Sequence, residues 1–263
     1  MASFVLVMNQ FADMVGKFTL DRFYHLVAFA RFQADLLRAV PYMFKNIGFT
    51  LEQMFIIGIT SLPLVTVTAV FTGGVTAYQM AYQFSDIVPQ MYIGVAVGKS
   101  VLIELGPVLT AMVMAGRIGA AMCAELATMS VTEQLDAMKC LNINPFRYLL
   151  APRLIASVIM LPVLNIVSSA VAIVGAWVVA YVFSDLSWSM YFKGVRLFYT
   201  HSDVVVGLVK STVFGYILAA FATYFGYNTT NGAEGVGESV KASVVSSMTA
   251  ILIATSIVSK LLL

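Results

Sequence analysis

Charge is scarce in this sequence, and its scarcity indicates the class of protein. Charged residues make up 11% of the chain and hydrophobic residues 60%, whereas a soluble domain carries roughly 25% charged residues. The sequence therefore predicts an integral membrane protein. The 15 basic and 13 acidic residues nearly cancel, which argues against nucleic acid as a partner. In a chain of 263 residues, several spans leave no room for a nucleotide-binding domain.

Residues that bind metals or attack substrates are also few. The two cysteines, Cys123 and Cys140, lack metal-ligand spacing, and we expect two free thiols on a reducing face. The two histidines, His25 and His201, are isolated in the sequence. No Ser/His/Asp set has a supporting sequence context. We therefore expect this chain to hold no metal or cofactor and to catalyse no bond chemistry.

Long apolar runs predict the spans. A helix needs about 20 apolar residues to cross a bilayer, and the runs favour five spans, although four or six would also fit. The expected spans cover about 53–80, 91–116, 154–183, 208–227 and 241–262. Residues 4–39 place phenylalanines and basic side chains on different helical faces, which is typical of a helix lying at the membrane interface. The predicted fold is all-α, with an interfacial helix followed by five transmembrane helices.

The basic residues predict the orientation in the membrane, because cytoplasmic loops carry an excess of lysine and arginine. If the N-terminus is cytoplasmic, the inner side holds Lys17, Arg22, Arg31, Arg38, Lys45, Arg117, Lys139, Arg147 and Arg153. The outer side then holds chiefly Lys193 and Arg196. We therefore expect a cytoplasmic N-terminus and a C-terminus on the outer face.

Glu104 is the single residue that most strongly indicates a functional site, because it lies inside the second predicted span. A charged side chain within a span costs about 2.5–3.5 kcal/mol on insertion scales. Such a carboxylate is expected to face a cavity, a partner subunit or a polar headgroup, or else to be hydrated or paired with Lys99 one turn away. Pro107 removes a backbone donor and can open the helix there. Pro63 predicts a bend in the first span.

Small residues recur at four-residue steps in the same region, at Ala111, Ala115 and Gly119 and at Ala120 and Ala124. Small residues at this spacing let two helices approach closely in lipid. A homodimer interface and tight packing within one chain would explain the pattern equally well.

The segment 125–138 is predicted to form a short amphipathic helix on the cytoplasmic side. One face carries Glu125, Met129, Glu133 and Asp136. One interpretation is an interfacial helix with solvated acids, and the other is a docking helix for a soluble protein. Anionic lipid repels an acidic face, which favours the docking interpretation.

These residues together resemble one known family. The matching runs are Glu104-Leu105-Gly106-Pro107, Ala115-Gly116-Arg117-Ile118-Gly119, Ala124-Glu125-Leu126, Met129, Thr132-Glu133-Gln134-Leu135, Asn144-Pro145 and Ala151-Pro152-Arg153. They closely resemble the MlaE/YrbE permease family, the membrane subunits of ABC transporters that work with MCE-domain proteins in lipid traffic. The resemblance is strong over about 100–165 and extends over the rest of the chain.

The resemblance implies a single permease domain over 1–263 in a bacterial inner membrane. It implies a homodimer that moves phospholipids or related lipids, two cytoplasmic ATPase subunits that bind ATP and Mg²⁺, and a periplasmic MCE-domain oligomer. The segment 125–138 would be the coupling helix, joined to the membrane part through Arg117. Glu104, Pro107 and Pro63 would belong to a lipid cavity. One departure is Ile103, where members associated with phospholipid carry an arginine.

Two other classes of function stay open on the sequence. A proton-coupled secondary transporter for lipids or drugs would use Glu104 as its proton carrier and would need no ATPase. A membrane scaffold without transport activity would tolerate Glu104→Ala and a blocked cavity.

Overall fold

A computed structural model describes Tyr24, residues 26–84 and residues 89–262, without the side chains of 43–45. This part of the chain contains helices and no strand, and five of its helices are long and apolar enough to cross a membrane. The prediction of an all-α membrane protein is thereby confirmed. The helices are α1 (26–39), α2 (Ile47–Phe84), α3 (Met91–Val131), α4 (Gln134–Cys140), α5 (Phe146–Ser184), α6 (Trp188–Leu197), α7 (His201–Tyr227) and α8 (Gly232–Leu262).

The N-terminal helix can be followed only in part. Residues 26–39 are helical and lead through the 3₁₀ segment Val40–Asn46 into α2. Residues 4–23 and 25 of the predicted interfacial helix lie outside the described residues. Within α1, the buried Gln33 donates from Nε2 to the Ala220 carbonyl oxygen of α7 at 3.2 Å. The described part of α1 is therefore fastened to the bundle.

The predicted helix 125–138 is wrong as a single element. Helix α3 continues from the second span to Val131, because the alanine-rich stretch after Gly119 has high helix propensity. Glu133 then adopts a left-handed backbone with φ of 61°, and α4 begins at Gln134. Glu125 and Met129 consequently belong to the end of α3, and they do not share one helical face with Asp136.

The spans alternate in direction and give the bundle two distinct ends. At the α4 end, the Ser130 hydroxyl donates to the carbonyl oxygens of Tyr227 and Thr229 at 3.2 and 3.1 Å. At the α6 end, Lys99 Nζ lies 3.7 Å from the Asp203 carboxylate. These contacts join the start of α3 to the start of α7 and the end of α3 to the end of α7, so the two helices run parallel. They also fix the two ends used below.

Two π-helical turns interrupt α3, at Val101–Leu105 and Ala115–Gly119. Such turns widen a helix locally and occur frequently at functional sites. Each turn carries an ionisable residue of the span, Glu104 in the first and Arg117 in the second. In α2, a 3₁₀ turn at Ile59–Ser61 lies just before Pro63.

Helix α5 packs along α2 at very close range. A Cβ atom on Gly73 would lie 1.9 Å from the carbonyl oxygen of Ala172, and one on Gly175 would lie 3.1 Å from the Val70 Cα atom. The small residues predicted to mediate close helix packing do so within this chain, since Ala111 and Ala115 are fully buried in the main apolar core. Backbone contact through small residues therefore holds these helices together.

Gly73→Ala is expected to lower the free energy of unfolding by about 1–3 kcal/mol, because the added methyl group forces α2 and α5 apart. Gly48→Ala is the matched control in the same helix, because a Cβ atom there meets nothing within 4 Å. It should be neutral or stabilising by up to about 1 kcal/mol. Thermal unfolding in detergent measures both, and equal midpoints would contradict the close contact at Gly73.

Candidate functional site: a cleft in the spans and a surface beside α4

A cleft of about 620 Å³ opens between α2 and α3 in the half of the bundle near the α6 end. Its lining is mostly apolar and consists of Phe71, Thr72, Val75, Thr76, Gln79, Met80, Ser100, Glu104, Leu105 and Leu109. The structure therefore places Glu104 on the wall of a cavity. Pro107 is buried beside it without lining the cleft, and Pro63 is an exposed residue elsewhere on α2.

Glu104 is held by two other spans. Its Oε1 atom accepts from Lys210 Nζ of α7 at 2.5 Å and from the Ser259 hydroxyl of α8 at 2.6 Å. The same ammonium donates to the Ile103 carbonyl oxygen at 2.9 Å. Lys99, one turn before Glu104, instead faces Asp203. Glu104 thus joins α3 to α7 and α8, and its counter-ion is Lys210.

The two partners of this ion pair differ sharply in exposure. The Lys210 side chain is fully buried at 0% exposure, whereas the Glu104 side chain is 39% exposed. A buried ammonium requires a charged partner and further hydrogen-bond acceptors, since its desolvation costs several kcal/mol. Glu104 and the Ile103 carbonyl supply both. The carboxylate is then the member of the pair that polar groups in the cleft can reach.

Sequence reasoning missed Lys210 and Ser259. The signal for Lys210 was present, because it is the one basic residue within α7 and sits in the apolar run VVVGLVKSTVFG. An ionisable residue inside a span calls for a named partner, and Glu104 in α3 was the complementary candidate. Ser259 gave no such signal, because serine in a span commonly donates to its own helix, as Ser259 also does to Thr255.

At the α4 end, Glu125 is engaged inside the protein. Its carboxylate lies 2.7 Å from Arg153 Nη2 of α5, with Arg153 only 1% exposed and Glu125 59% exposed. The Nε and Nη1 atoms of Arg153 are buried and have no partner among the described residues. Glu125 therefore neutralises a buried guanidinium and links the end of α3 to α5.

Four exposed side chains lie within and around α4, and we name them the α4 surface: Glu133, Asp136, Leu141 and Ile143. Leu141 is 72% exposed. Asp136 accepts from Lys139 at 2.8 Å. The pKa of Lys139 is raised above its ordinary value, first by this hydrogen bond and then by Tyr227. Met129 is half-buried on the preceding helix.

An aromatic cluster lies directly behind the α4 surface. The ring centroids of Phe32, Phe146 and Tyr227 lie 5.1 to 5.6 Å from one another. The ammonium of Lys139 lies 5.4 Å from the Tyr227 ring centroid. Helix α4 is thereby connected to α1, to the start of α5 and to the end of α7.

Arg117 lies inside α3 and not on the α4 surface. Its Nη2 atom donates to the Thr60 hydroxyl oxygen of α2 at 3.3 Å. Its Nη1 atom is buried and has no hydrogen-bond partner among the described residues. The same part of the chain contains no group of three His, Cys, Asp or Glu side chains that could hold a metal ion.

Comparison with known proteins agrees with this architecture. The family model described as "Permease MlaE" matches residues 50–261. A probable ABC transporter permease protein of Rickettsia typhi is 36% identical over 251 residues, which are 95% of this chain and 97% of that protein. A probable ABC transporter permease protein of Synechocystis sp. is 41% identical over 213 residues, 81% of each chain. The red alga Pyropia yezoensis has a probable ABC transporter permease protein that is 36% identical over 214 residues, again 81% of each chain.

The family match covers all five spans, the cleft and the α4 surface, and the three relatives align over 81% to 97% of their own length. The chain therefore belongs to the MlaE permease family, as the sequence resemblance predicted.

Proposed function

We propose that this chain is the permease subunit of an ABC transporter that moves phospholipids or related lipids, driven by a separate ATPase. The observation that carries the proposal is the Glu104 carboxylate on the wall of an otherwise apolar cleft. An apolar lining suits acyl chains, and a few placed polar groups orient a ligand. The half-exposed carboxylate is the polar contact offered to the headgroup.

The proposed ATPase partner docks on the α4 surface. Glu133 and Asp136 give this surface acidic charge, and Leu141 and Ile143 give it exposed apolar area. Interfaces combine an apolar centre with a polar rim, so this mixture fits a protein groove better than a lipid surface. Met129 lies at the edge of the surface. Glu125 acts from behind it by holding Arg153, and Arg117 lies in the path between the surface and the cleft.

Movement of the docked ATPase would reach the spans through the aromatic cluster behind α4. Because Tyr227 and Phe146 begin or end whole spans, a displacement of α4 is transmitted to α7 and α5 as rigid bodies. Glu104 ties α3 to α7 and α8 in the other half. A shift between these spans would change the width of the cleft and so admit or expel a lipid, with Pro63 and Pro107 near the interruptions where α2 and α3 can bend.

The remaining parts of the proposal concern the assembly. Two copies of the chain would face each other, and an MCE-domain oligomer would receive or deliver lipid at the α6 end. The excess of basic residues at the α4 end supports a cytoplasmic position for that end. In a bacterial inner membrane, the cleft then opens in the periplasmic half.

Purification in mild detergent with the natively encoded neighbours tests this function. The expected result is a complex that contains an ATPase, an MCE-domain protein and bound phospholipid. In proteoliposomes, lipid transfer should require ATP and persist after the proton gradient is dissipated. Transfer that needs the gradient and no ATPase would favour a proton-coupled transporter. Transfer by the assembled complex that is unaffected both by Glu104→Ala and by a blocked cavity would favour a scaffold role for this chain.

A further inference from the structure

Arg117 is a charge without a counter-ion in the described part of the chain. None of the five ion pairs found there includes Arg117. Its Nη2 atom donates to the neutral Thr60 hydroxyl, and its buried Nη1 atom has no hydrogen-bond partner among the described residues. Guanidinium carries five donors in a planar fork that matches phosphate and carboxylate. The guanidinium therefore has hydrogen-bond donors without acceptors, and no anion among the described residues balances its charge.

The position of Arg117 separates it from the cleft. It follows Glu104 by thirteen residues along α3, which is about 20 Å at 1.5 Å per residue. Its neighbour Gly119 packs near Leu218, in the half of α7 close to the α4 end. Because the hydrocarbon core is about 30 Å thick, Glu104 and Arg117 lie at the levels of opposite leaflets.

Residues of α2 and α3 surround the Arg117 guanidinium. The Thr60 hydroxyl donates to the Ile56 carbonyl oxygen of its own helix, which leaves its lone pairs directed to Arg117. Thr60 and Gly116 are both exposed, so the surface next to the guanidinium is open. Both interrupted turns, Ile59–Ser61 of α2 and Ala115–Gly119 of α3, meet at this point.

We propose that Arg117, positioned by Thr60, binds the phosphate group of a phospholipid whose headgroup lies in the half of the membrane near the α4 end. The site is distinct from the Glu104 cleft and goes beyond the proposed function, which needs only that cleft. The phosphate accepts from the exposed side of the guanidinium, at Nη2, and supplies its counter-ion. A charge-assisted, bidentate contact of this kind is about twice as strong as a neutral hydrogen bond.

Site-specific photocrosslinking of the full-length chain in nanodiscs tests the site. One reporter replaces the exposed Ile59, beside Thr60, and a second replaces Val75, which lines the cleft. The probes are clickable phosphatidylglycerol and clickable diacylglycerol with the same acyl chains, which differ by the phosphoglycerol headgroup and its charge. We expect the Ile59 reporter to label phosphatidylglycerol about tenfold more than diacylglycerol, a difference of about 1.4 kcal/mol.

The variants separate a phosphate contact from a general effect. Arg117→Met should remove the phosphatidylglycerol preference at Ile59 and leave labelling at Val75 unchanged. Arg117→Lys should retain part of the preference, and Arg196→Met at the α6 end should change neither reporter. If Arg117→Met does not fold, Thr60→Val keeps the charge and should still lower the preference about threefold.

Three results would overturn the proposal. The first is equal labelling of both probes at Ile59 in the unmodified protein. The second is loss of the preference on adding millimolar inorganic phosphate, which would make the occupant a free anion. The third is that Arg117→Met dissociates a dimer and leaves the labelling at Ile59 unchanged. That result would mean that the counter-ion of Arg117 comes from a second copy of the chain. Loss of labelling at Val75 alone would concern the proposed function and not this site.

Discussion

Replacing Glu104 by leucine is expected to destabilise the protein much more than replacing Lys210 by methionine. Glu104→Leu leaves the fully buried Lys210 ammonium without its carboxylate, and stranding a buried charge in this way costs about 3–5 kcal/mol. Lys210→Met leaves Glu104, which is 39% exposed and can be hydrated from the cleft. We therefore expect a loss of only about 1–2 kcal/mol for the lysine variant. Thermal or denaturant unfolding in detergent at neutral pH measures both.

The double variant shows whether the two residues act as a pair. Glu104→Leu combined with Lys210→Met removes both charges, so its stability should exceed that of Glu104→Leu alone. Ser259→Ala is the control that removes a hydrogen bond and no charge, and it should cost about 1 kcal/mol. Equal losses for Glu104→Leu and Lys210→Met, or strict additivity in the double variant, would contradict the asymmetric ion pair.

Reversing the charge of the α4 surface is expected to abolish coupling while the fold persists. Glu133→Lys together with Asp136→Lys changes two exposed acids, and juxtaposing like charges across an interface costs several kcal/mol. ATP turnover stimulated by lipid should fall at least about tenfold, since each 1.4 kcal/mol of lost binding is a factor of ten. The unfolding midpoint of the isolated permease should stay nearly constant, because neither acid pairs with a buried group among the described residues.

The matched control for this variant is Glu125→Lys, an acid-to-base change about two turns before Thr132. Glu125 neutralises the buried Arg153, so its reversal should destabilise the permease itself by about 3 kcal/mol or more. The two variants thus distinguish loss of docking from loss of fold. ATP turnover that survives reversal of Glu133 and Asp136 would reject the α4 surface as the docking site. An unchanged midpoint for Glu125→Lys would reject the internal role of Glu125.

The sequence was sufficient for the membrane class and the family, and it favoured the five spans, because each depends on features that are local along the chain. Each long apolar run indicates one span, whichever helices pack against it. The break at Glu133 was not accessible in this way. The apolar and acidic residues of 125–138 keep a helical period across it, and the left-handed backbone of a non-glycine residue is maintained by the surrounding fold.

Only part of the candidate site could be predicted from the sequence. Glu104 drew attention because a lone carboxylate in an apolar segment is expensive. Its partner lies 106 positions further along the chain, and pairing across that distance is a property of helix packing. The exposure of Leu141 and the burial of Arg153 likewise depend on which helices meet at the α4 end.

The distance along the chain between Glu104 and Lys210 has a consequence for biosynthesis. The carboxylate enters the membrane 106 residues before its counter-ion is made, an interval of roughly 5 to 20 s at synthesis rates of about 5–20 residues per second. During that interval the insertion machinery, or water that enters with the chain, must stabilise the Glu104 carboxylate. Ser259, which completes the arrangement, lies 49 residues beyond Lys210 and is made later still. The nascent chain therefore carries an unpaired charge at its second span until α7 is inserted.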